Sequence, residues 1–140
     1  VRRAWRMEDD GYGEELLKRL ELDDKKDKLG RELSKGMQQK LSIACAMVHR
    51  PDVLIFDEPL VGLDPHAIKE LKAIFRELRA EGRAVLISTH MIDSVEDYWD
   101  VAHIMMNGSF AATKHNTRED TESQSLEELF FEITEGGEKE

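Results

Sequence analysis

The sequence lacks the residues on which small secreted and membrane-spanning proteins depend. Its single cysteine, Cys45, excludes a disulfide within the chain and favours a reducing compartment. No apolar run approaches the roughly 18 residues that a membrane-spanning helix needs. The N-terminus also shows no signal-peptide pattern. We therefore expect any membrane partner to be another chain, or a segment outside this sequence.

Positive charge is also scarce. The 20 lysines and arginines are outnumbered by 30 acidic residues, which gives a net charge of -10. Such an acidic balance argues against binding to DNA or to an anionic membrane surface, so no nucleic acid partner is expected. It leaves phosphate binding possible, because a phosphate site is a local feature. Apart from His90, the histidines show no metal-ligand spacing, so no zinc site is predicted.

The central stretch of the chain is an apolar run that ends in two acids and a proline. Val53–Phe56 is typical of a fully buried strand in a parallel sheet, and Asp57 and Glu58 follow it directly. The acids are expected at the C-terminal end of the strand, where ligands bind in open α/β sheets. Successive side chains on a strand point to opposite faces. One acid is therefore expected to face a metal and the other a water molecule.

A helix and a second strand follow. Asp64-Pro65 resembles a cap and first residue of a helix, and Gly82 is placed to end it. Ala84–Ile87 is predicted to be a second buried strand, after which comes Ser88-Thr89-His90. A strand, a helix and a strand form a right-handed crossover with parallel strands. Glu58 and His90 are therefore expected at one edge of the sheet.

Upstream of the strand, Ser34 is a candidate N-cap for a helix from about Lys35 to His49. Its predicted apolar face contains Met37, Leu41, Ala44, Cys45 and Val48. The free amides and the dipole at a helix start attract anions, and Gly36 allows close approach to the backbone. The sequence therefore predicts a phosphate site here, with an ordinary capped helix as the alternative.

The remaining segments are simpler. Glu14–Leu22 and Met91–Asp100 are predicted to be helices, and a hairpin is predicted around Asn107-Gly108. Its strands are expected at Val101–Met106 and Ser109–Thr113. Ser125 and Glu128 form a capping box that opens a last helix.

Four of these segments, in this order, resemble the ATP-binding-cassette (ABC) ATPases. Leu33-Ser34-Lys35-Gly36-Met37 resembles the signature motif, and Val53–Glu58 resembles the Walker B strand. Val61–Pro65 resembles the D-loop, and the histidine of Ser88-Thr89-His90 resembles the switch histidine. The resemblance covers about Leu29 to Gly108. Lys35 and Met37 depart from the usual Leu-Ser-Gly-Gly-Gln form and resemble a Leu-Ser-Lys-Gly-Met subgroup of exporters.

The resemblance implies roles for these residues. Asp57 would hold Mg²⁺ through water, Glu58 would act as general base, and His90 would contact the terminal phosphate or the attacking water. Ser34, Lys35, Gly36 and Asp64 would face ATP bound to the opposite domain. The cofactors implied are ATP and Mg²⁺. The partners implied are a transmembrane permease and a second nucleotide-binding domain, at the cytoplasmic face of the membrane.

Two further motifs of the family do not occur in the sequence. No glycine is followed by lysine, so the phosphate loop G-x-x-x-x-G-K-[ST] (Walker A) is absent, and no glutamine precedes Gln38. We therefore expect an α/β, P-loop NTPase-like, mostly parallel sheet flanked by helices, incomplete because the N-terminal Walker A half is missing, with a C-terminal hairpin. The expected divisions are a helical subdomain remnant (1–50), the Walker B, D-loop and switch part of the core (51–115), and a C-terminal helix and tail (116–140).

Three functions fit this pattern. The first is a partial ATP-hydrolysing subunit of an ABC exporter, inactive when alone. The second is a non-hydrolytic module that lends its signature motif to a partner domain. The third is a DNA-repair or chromosome-organising ATPase, which is disfavoured because such proteins have long coiled coils and this sequence has no heptad repeats.

Overall fold

The computed structural model of the protein describes residues 10–116 and 124–136. The chain forms two compact units, Val1–Thr89 and His90–Glu140. The helices are α1 (Tyr12–Arg19), α2 (Lys35–Met47), α3 (Pro65–Ala80) and α4 (Leu126–Gly136). The strands are β1 (Val53–Asp57), β2 (Ala84–Ser88), β3 (Val101–Met106) and β4 (Ser109–His115).

The first unit is built on the predicted crossover. β1 and β2 are parallel and in register from Val53 opposite Ala84 to Asp57 opposite Ser88. Helix α3 connects them, beginning at Pro65 after the cap Asp64. The two strands therefore end at the same edge of the sheet, as predicted, and their last residues are paired.

The core of the first unit lies on one face of this sheet. Phe56 packs its ring 5.4 Å from that of Phe75 on α3. Apolar residues from the three helices, β1 and the loop after it form this core, and the almost fully buried ones include Leu16, Leu20, Met47, Leu54, Leu60, Leu71, Ile74 and Leu78. Burial of a large apolar side chain contributes about 1.5–3 kcal/mol, so this core is the main source of stability in the unit.

The other face of the sheet is exposed, which corrects the prediction of fully buried strands. Only Leu54 and Phe56 are buried in β1, whereas Ile55 is 71% exposed. Leu86 of β2 is 58% exposed. An apolar run predicts burial on both faces only where both faces are covered by other layers. In the described part of the chain this sheet has two strands, and one of its faces lies open.

The second unit contains an antiparallel hairpin and a short helix. β3 and β4 pair around Asn107-Gly108, with a register shift between Ile104 and Met105. The capping box predicted for α4 is confirmed, since Ser125 and Glu128 exchange two hydrogen bonds of 3.0 Å. The helix predicted over Met91–Asp100 is wrong, because the segment contains only a 3-10 turn at Ile92–Ser94 followed by turns. Its apolar residues have helical spacing, but four of its ten residues are β-branched or aromatic, and the 3-10 turn has no side-chain cap hydrogen bond.

These elements give the predicted fold class, an α/β architecture with a parallel sheet, flanking helices and a C-terminal antiparallel hairpin. The three divisions expected from sequence (1–50, 51–115 and 116–140) are functional ones and remain a prediction. Among the described residues, no helix has both the length and the apolar character that crossing a bilayer requires.

Candidate functional site

The acidic edge of the first unit consists of Asp57, Glu58, Ser88 and Thr89. The Ser88 hydroxyl donates to Asp57 Oδ1, and the Thr89 hydroxyl donates to Glu58 Oε2 at 3.1 Å. Asp57 is exposed, while Glu58 is half-buried. The structure therefore brings the two predicted acids together with Ser88 and Thr89, which lie at the end of the neighbouring strand β2.

Glu58 lies in an unusual backbone conformation. Its φ is 46°, in the left-handed region that non-glycine residues rarely adopt, and its N–H donates to Ser88 O at 2.9 Å. Such a conformation costs about 1–3 kcal/mol and occurs often at functional sites. Here it turns the chain sharply out of β1, which places the Glu58 side chain beside Thr89 and not along the strand.

His90 is the first residue of the second unit and is exposed. It follows Thr89 directly in the chain, and Thr89 is the residue that binds Glu58. The predicted role of His90 at the same site as Glu58 stays a prediction.

The predicted signature turn is the start of α2. The Ser34 hydroxyl accepts a hydrogen bond of 3.2 Å from the Met37 N–H, as expected for an N-cap. Ser34 and Lys35 are both exposed, and the first turn of α2 contains no acidic residue. The first amides of a helix have no partner within the helix and carry a partial positive charge. This turn therefore has the chemistry of an anion site.

The start of α3 has the same backbone arrangement with the opposite charge. Asp64 Oδ1 accepts a hydrogen bond of 2.9 Å from the Ala67 N–H, and Pro65 occupies the first helical position. The Ala67 amide is the main cause that lowers the pKa of Asp64 to about 2, and the ammonium of Lys40 is the second. Asp64 is therefore an ionised cap at neutral pH.

The two helix starts lie against each other in the first unit. A Cβ added to Gly36 would lie 3.0 Å from Gly62 O, so no larger residue fits without a shift of the backbone. Lys40 Nζ lies 3.0 Å from Asp64 Oδ2. The structure thus brings Ser34, Lys35 and Gly36 close to the Gly62–Asp64 segment, as the sequence alone does not require.

Sequence reasoning missed three residues that follow the turn. Gln38 donates through Nε2 to Gly30 O and Leu33 O, at 2.9 and 3.2 Å, and fixes the loop before Ser34. Gln39 Nε2 donates to Pro59 O at 3.4 Å, and Lys40 is buried beside Asp64.

The burial of Lys40 could have been predicted from the sequence. The buried face of α2 contains Lys40, Ile43, Ala44 and Met47, which is rotated from the predicted face. Cys45 is only half-buried. A lysine at i, where i+3, i+4 and i+7 are apolar, indicates a buried charge that needs a partner.

The residue types at these two places fit Mg²⁺ and a nucleotide. A carboxylate and a hydroxyl meet at the strand ends, and oxygen ligands of this kind suit Mg²⁺, which binds through few protein ligands and keeps several waters. The exposed serine, lysine and glycine at a helix start suit a phosphate. The groups at these two places are therefore of the kinds that bind an anion and accept a proton.

Comparisons with known proteins show which family the chain resembles. A family model described as "ABC transporter" matches residues 3–61. The octopine permease ATP-binding protein P of Rhizobium radiobacter is 46% identical over 84 residues, which are 60% of this chain and 32% of that protein. The ABC-type transporter ATP-binding protein EcsA of Bacillus subtilis is 37% identical over 123 residues, 85% of this chain and 50% of EcsA.

A solved structure shares the fold. The ATP-binding subunit of an ABC transporter superposes with a TM-score of 0.83 at 33% identity, covering 95% of this chain and 58% of that one. The chain therefore spans about a third to three fifths of the length of these proteins.

Proposed function

Because this chain belongs to the ATP-binding proteins of ABC transporters, we propose that it contributes to an ATP-hydrolysing subunit that powers transport. It would supply the Walker B acids and the signature turn of that subunit. We further propose, from the Leu-Ser-Lys-Gly-Met form of Leu33–Met37, that the transporter is an exporter.

The observation that carries this proposal is the paired end of the two parallel strands. Asp57 and Glu58 each accept a hydrogen bond from one of two successive hydroxyls, Ser88 and Thr89. Two carboxylates held this way have fixed and different positions, which a general base and a metal ligand require. A strand that merely ends in a polar turn would not need both bonds.

Each acid has a separate proposed role. Asp57, at the exposed edge, would hold Mg²⁺ through water, and the ion would neutralise charge on the phosphates of ATP. Glu58 would accept a proton from the attacking water, with its carboxylate oriented by Thr89. His90 would hydrogen-bond the terminal phosphate or orient that water.

The signature turn would serve a second copy. Ser34 and Lys35 are exposed, so they are accessible to ATP held by a facing nucleotide-binding domain. Gly36 keeps the backbone accessible to a phosphate, and Asp64 fits the D-loop that passes between two such domains. We therefore propose a dimer of nucleotide-binding domains that works with a transmembrane permease at the cytoplasmic face of the membrane.

The test is ATP hydrolysis by a hybrid protein in which this chain follows the N-terminal part of EcsA. The 140-residue chain alone is expected not to turn over ATP, because its sequence contains no phosphate loop. The hybrid should hydrolyse ATP, and Glu58→Gln should lower turnover by about 10²–10⁴-fold while ATP binding persists.

The matched control is Glu70→Gln, which removes an acid from α3 that binds Arg19 and lies outside the acidic edge. It should leave turnover within about twofold, as expected for a change remote from the reacting groups. Equal turnover in the Glu58→Gln and unsubstituted hybrids would overturn the proposed role of the acidic edge.

The exposure of Ser34 and Lys35 also supports a second candidate, a non-hydrolytic module that lends its signature turn to a partner domain. The two functions differ in what each variant does. Such a module would stimulate ATP hydrolysis by the partner domain. Glu58→Gln would leave that stimulation unchanged, whereas a substitution of Ser34 would abolish it.

A further inference from the structure

Lys40 is a buried charge in the first unit. Its side chain is 9% exposed on the core-facing side of α2, between apolar residues of the same helix. Burial of an ammonium group is unfavourable unless oxygen atoms surround it. Its position therefore depends on the acids that meet it.

Two carboxylates from different elements meet Lys40. Asp64 Oδ2 lies 3.0 Å from Lys40 Nζ, and Glu21, which follows α1, lies 3.6 Å away. Glu21 has a φ of 57°, so the chain reverses there in a conformation rarely adopted by non-glycine residues. His66 Nδ1 also lies 3.6 Å from Glu21. The charged groups around Lys40 are thus Asp64, Glu21 and, beyond it, His66.

Lys40 lies one helical turn after Gly36, on the same side of α2. At that earlier turn the backbone of α2 approaches Gly62 closely. A Cβ added to Gly36 would lie 3.0 Å from Gly62 O. The segment Gly62–Asp64 therefore touches α2 at two places, by a backbone contact at Gly36 and by an ion pair at Lys40. Two contacts with α2 restrain the orientation of this segment relative to the helix more than either contact alone.

We propose that Lys40 is a positioning residue that holds the signature turn, Ser34–Gly36, in a fixed relation to the Gly62–Asp64 segment. Lys40 acts through Asp64 and through α2 and touches no nucleotide. The two segments would then face a second copy as a single rigid surface. The functional meaning of this link rests on the proposed function, but the link itself can be measured without nucleotide or partner.

The experiment is a pair of substitutions read by NMR in the 140-residue chain. Asp64→Asn keeps an oxygen that can accept from the Ala67 N–H but removes the charge. It is expected to shift the amide resonances of Gly36 and Met37 when Lys40 is present, and to shift them far less in the Lys40→Met background. A Lys40→Arg background should restore most of the response, and Lys69→Met, an exposed change on α3, should leave it intact.

Equal shifts at Gly36 in the Lys40→Met and unsubstituted backgrounds would overturn the proposal. If Lys40→Met does not fold, the nitrogen resonance of the Lys40 ammonium gives a second readout in a chain that retains Lys40. Asp64→Asn should move that resonance, and an unchanged resonance would also overturn the proposal. Neither result depends on ATP hydrolysis, so failure of the link and failure of the proposed function are distinguishable.

Discussion

The starts of α2 and α3 use one backbone design for opposite purposes. In each, a side-chain oxygen at the N-cap accepts the amide hydrogen three residues on, Ser34 from Met37 and Asp64 from Ala67. The cap of α2 is neutral, exposed and followed by Lys35 and Gly36. The cap of α3 is a carboxylate that is already paired with Lys40.

The difference shows which helix start can accept an external anion. A helix dipole equivalent to roughly half a positive charge is present at both. At α3 that charge is balanced within the first unit by Asp64. At α2 the first turn has no acid, so the positive end remains available to a phosphate. Capping therefore stabilises both helices, but of these two starts only that of α2 leaves its positive end without an acidic side chain.

The largest of these effects, a loss of ATP turnover, is expected when the N-cap of α2 is given the negative charge that the N-cap of α3 carries. Ser34→Asp should still cap α2, because aspartate and serine are similar caps. In the EcsA hybrid it should lower ATP turnover by about 10²-fold or more, because like charges brought together cost several kcal/mol. Ser34→Asn is the matched neutral control and should retain most turnover, measured as kcat/KM. Similar losses in both variants would show that shape, not charge, matters at this position.

The next effect concerns the contact between the two helix starts. Gly36→Ala introduces a Cβ 3.0 Å from Gly62 O, so the backbone must shift. The usual cost of overpacking, about 1–3 kcal/mol, opposes the roughly 0.5–1 kcal/mol that alanine gains over glycine within a helix. Because the group that must give way is backbone, we expect the overpacking to dominate and the free energy of unfolding to fall. Gly30→Ala is the control, because a Cβ there meets nothing within 4 Å and the backbone requires no positive φ. Urea denaturation of the chain followed by circular dichroism measures both, and equal effects would contradict the close approach.

A smaller effect is expected at the start of α3. The pKa of Asp64 is lowered to about 2 in the folded state from an ordinary 3.8, so the ionised cap stabilises the fold above pH 3.8. That contribution is lost as the pH falls through about 2. Since the Asp64 side chain is 51% exposed, solvent screening keeps the contribution below about 1 kcal/mol.

Asp64→Ser tests the direction of this pH dependence, because serine caps the helix without titrating. The difference in unfolding free energy between the two chains should be present at neutral pH and disappear toward pH 2. A difference that grows as the pH falls would contradict the ionised cap.

The smallest effect is expected at Lys35. It is the exposed first residue of α2, and its charge should add about 0.3–1 kcal/mol to anion binding at this helix start, a few-fold in affinity at low salt. Lys35→Met should weaken ATP-dependent pairing of the hybrid by that factor, and the difference should vanish at high ionic strength. Lys69→Met is the control for loss of one exposed charge elsewhere on the chain. Equal weakening of pairing by the two substitutions would contradict a local role of the Lys35 charge.

Much of the first unit could be predicted from local patterns. An apolar run followed by acids, a capped helix and a second apolar run gave the parallel pair β1–β2 and the meeting of their ends, which the register of Asp57 with Ser88 confirms. The caps Ser34 and Asp64 and the box at Ser125 were also correctly predicted, because caps depend on residues only three positions apart.

The errors arose where tertiary context decides the outcome. Ile55 and Leu86 belong to apolar runs but are exposed, because burial of a strand face depends on which layers cover it. Met91–Asp100 has helical spacing but forms turns, because spacing alone is weak where propensity is low. Lys40 was missed because its partners lie 19 and 24 positions away in the sequence, at Glu21 and Asp64.

A crystal structure of the Glu58→Gln hybrid with Mg²⁺ and ATP would test most directly whether the start of α2 binds the nucleotide of a facing copy. We expect a dimer in which the terminal phosphate lies within hydrogen-bond distance of Ser34 Oγ and of the Gly36 N–H from the facing copy, while Asp64 remains paired with Lys40. A dimer that binds ATP with the start of α2 remote from any phosphate would contradict it.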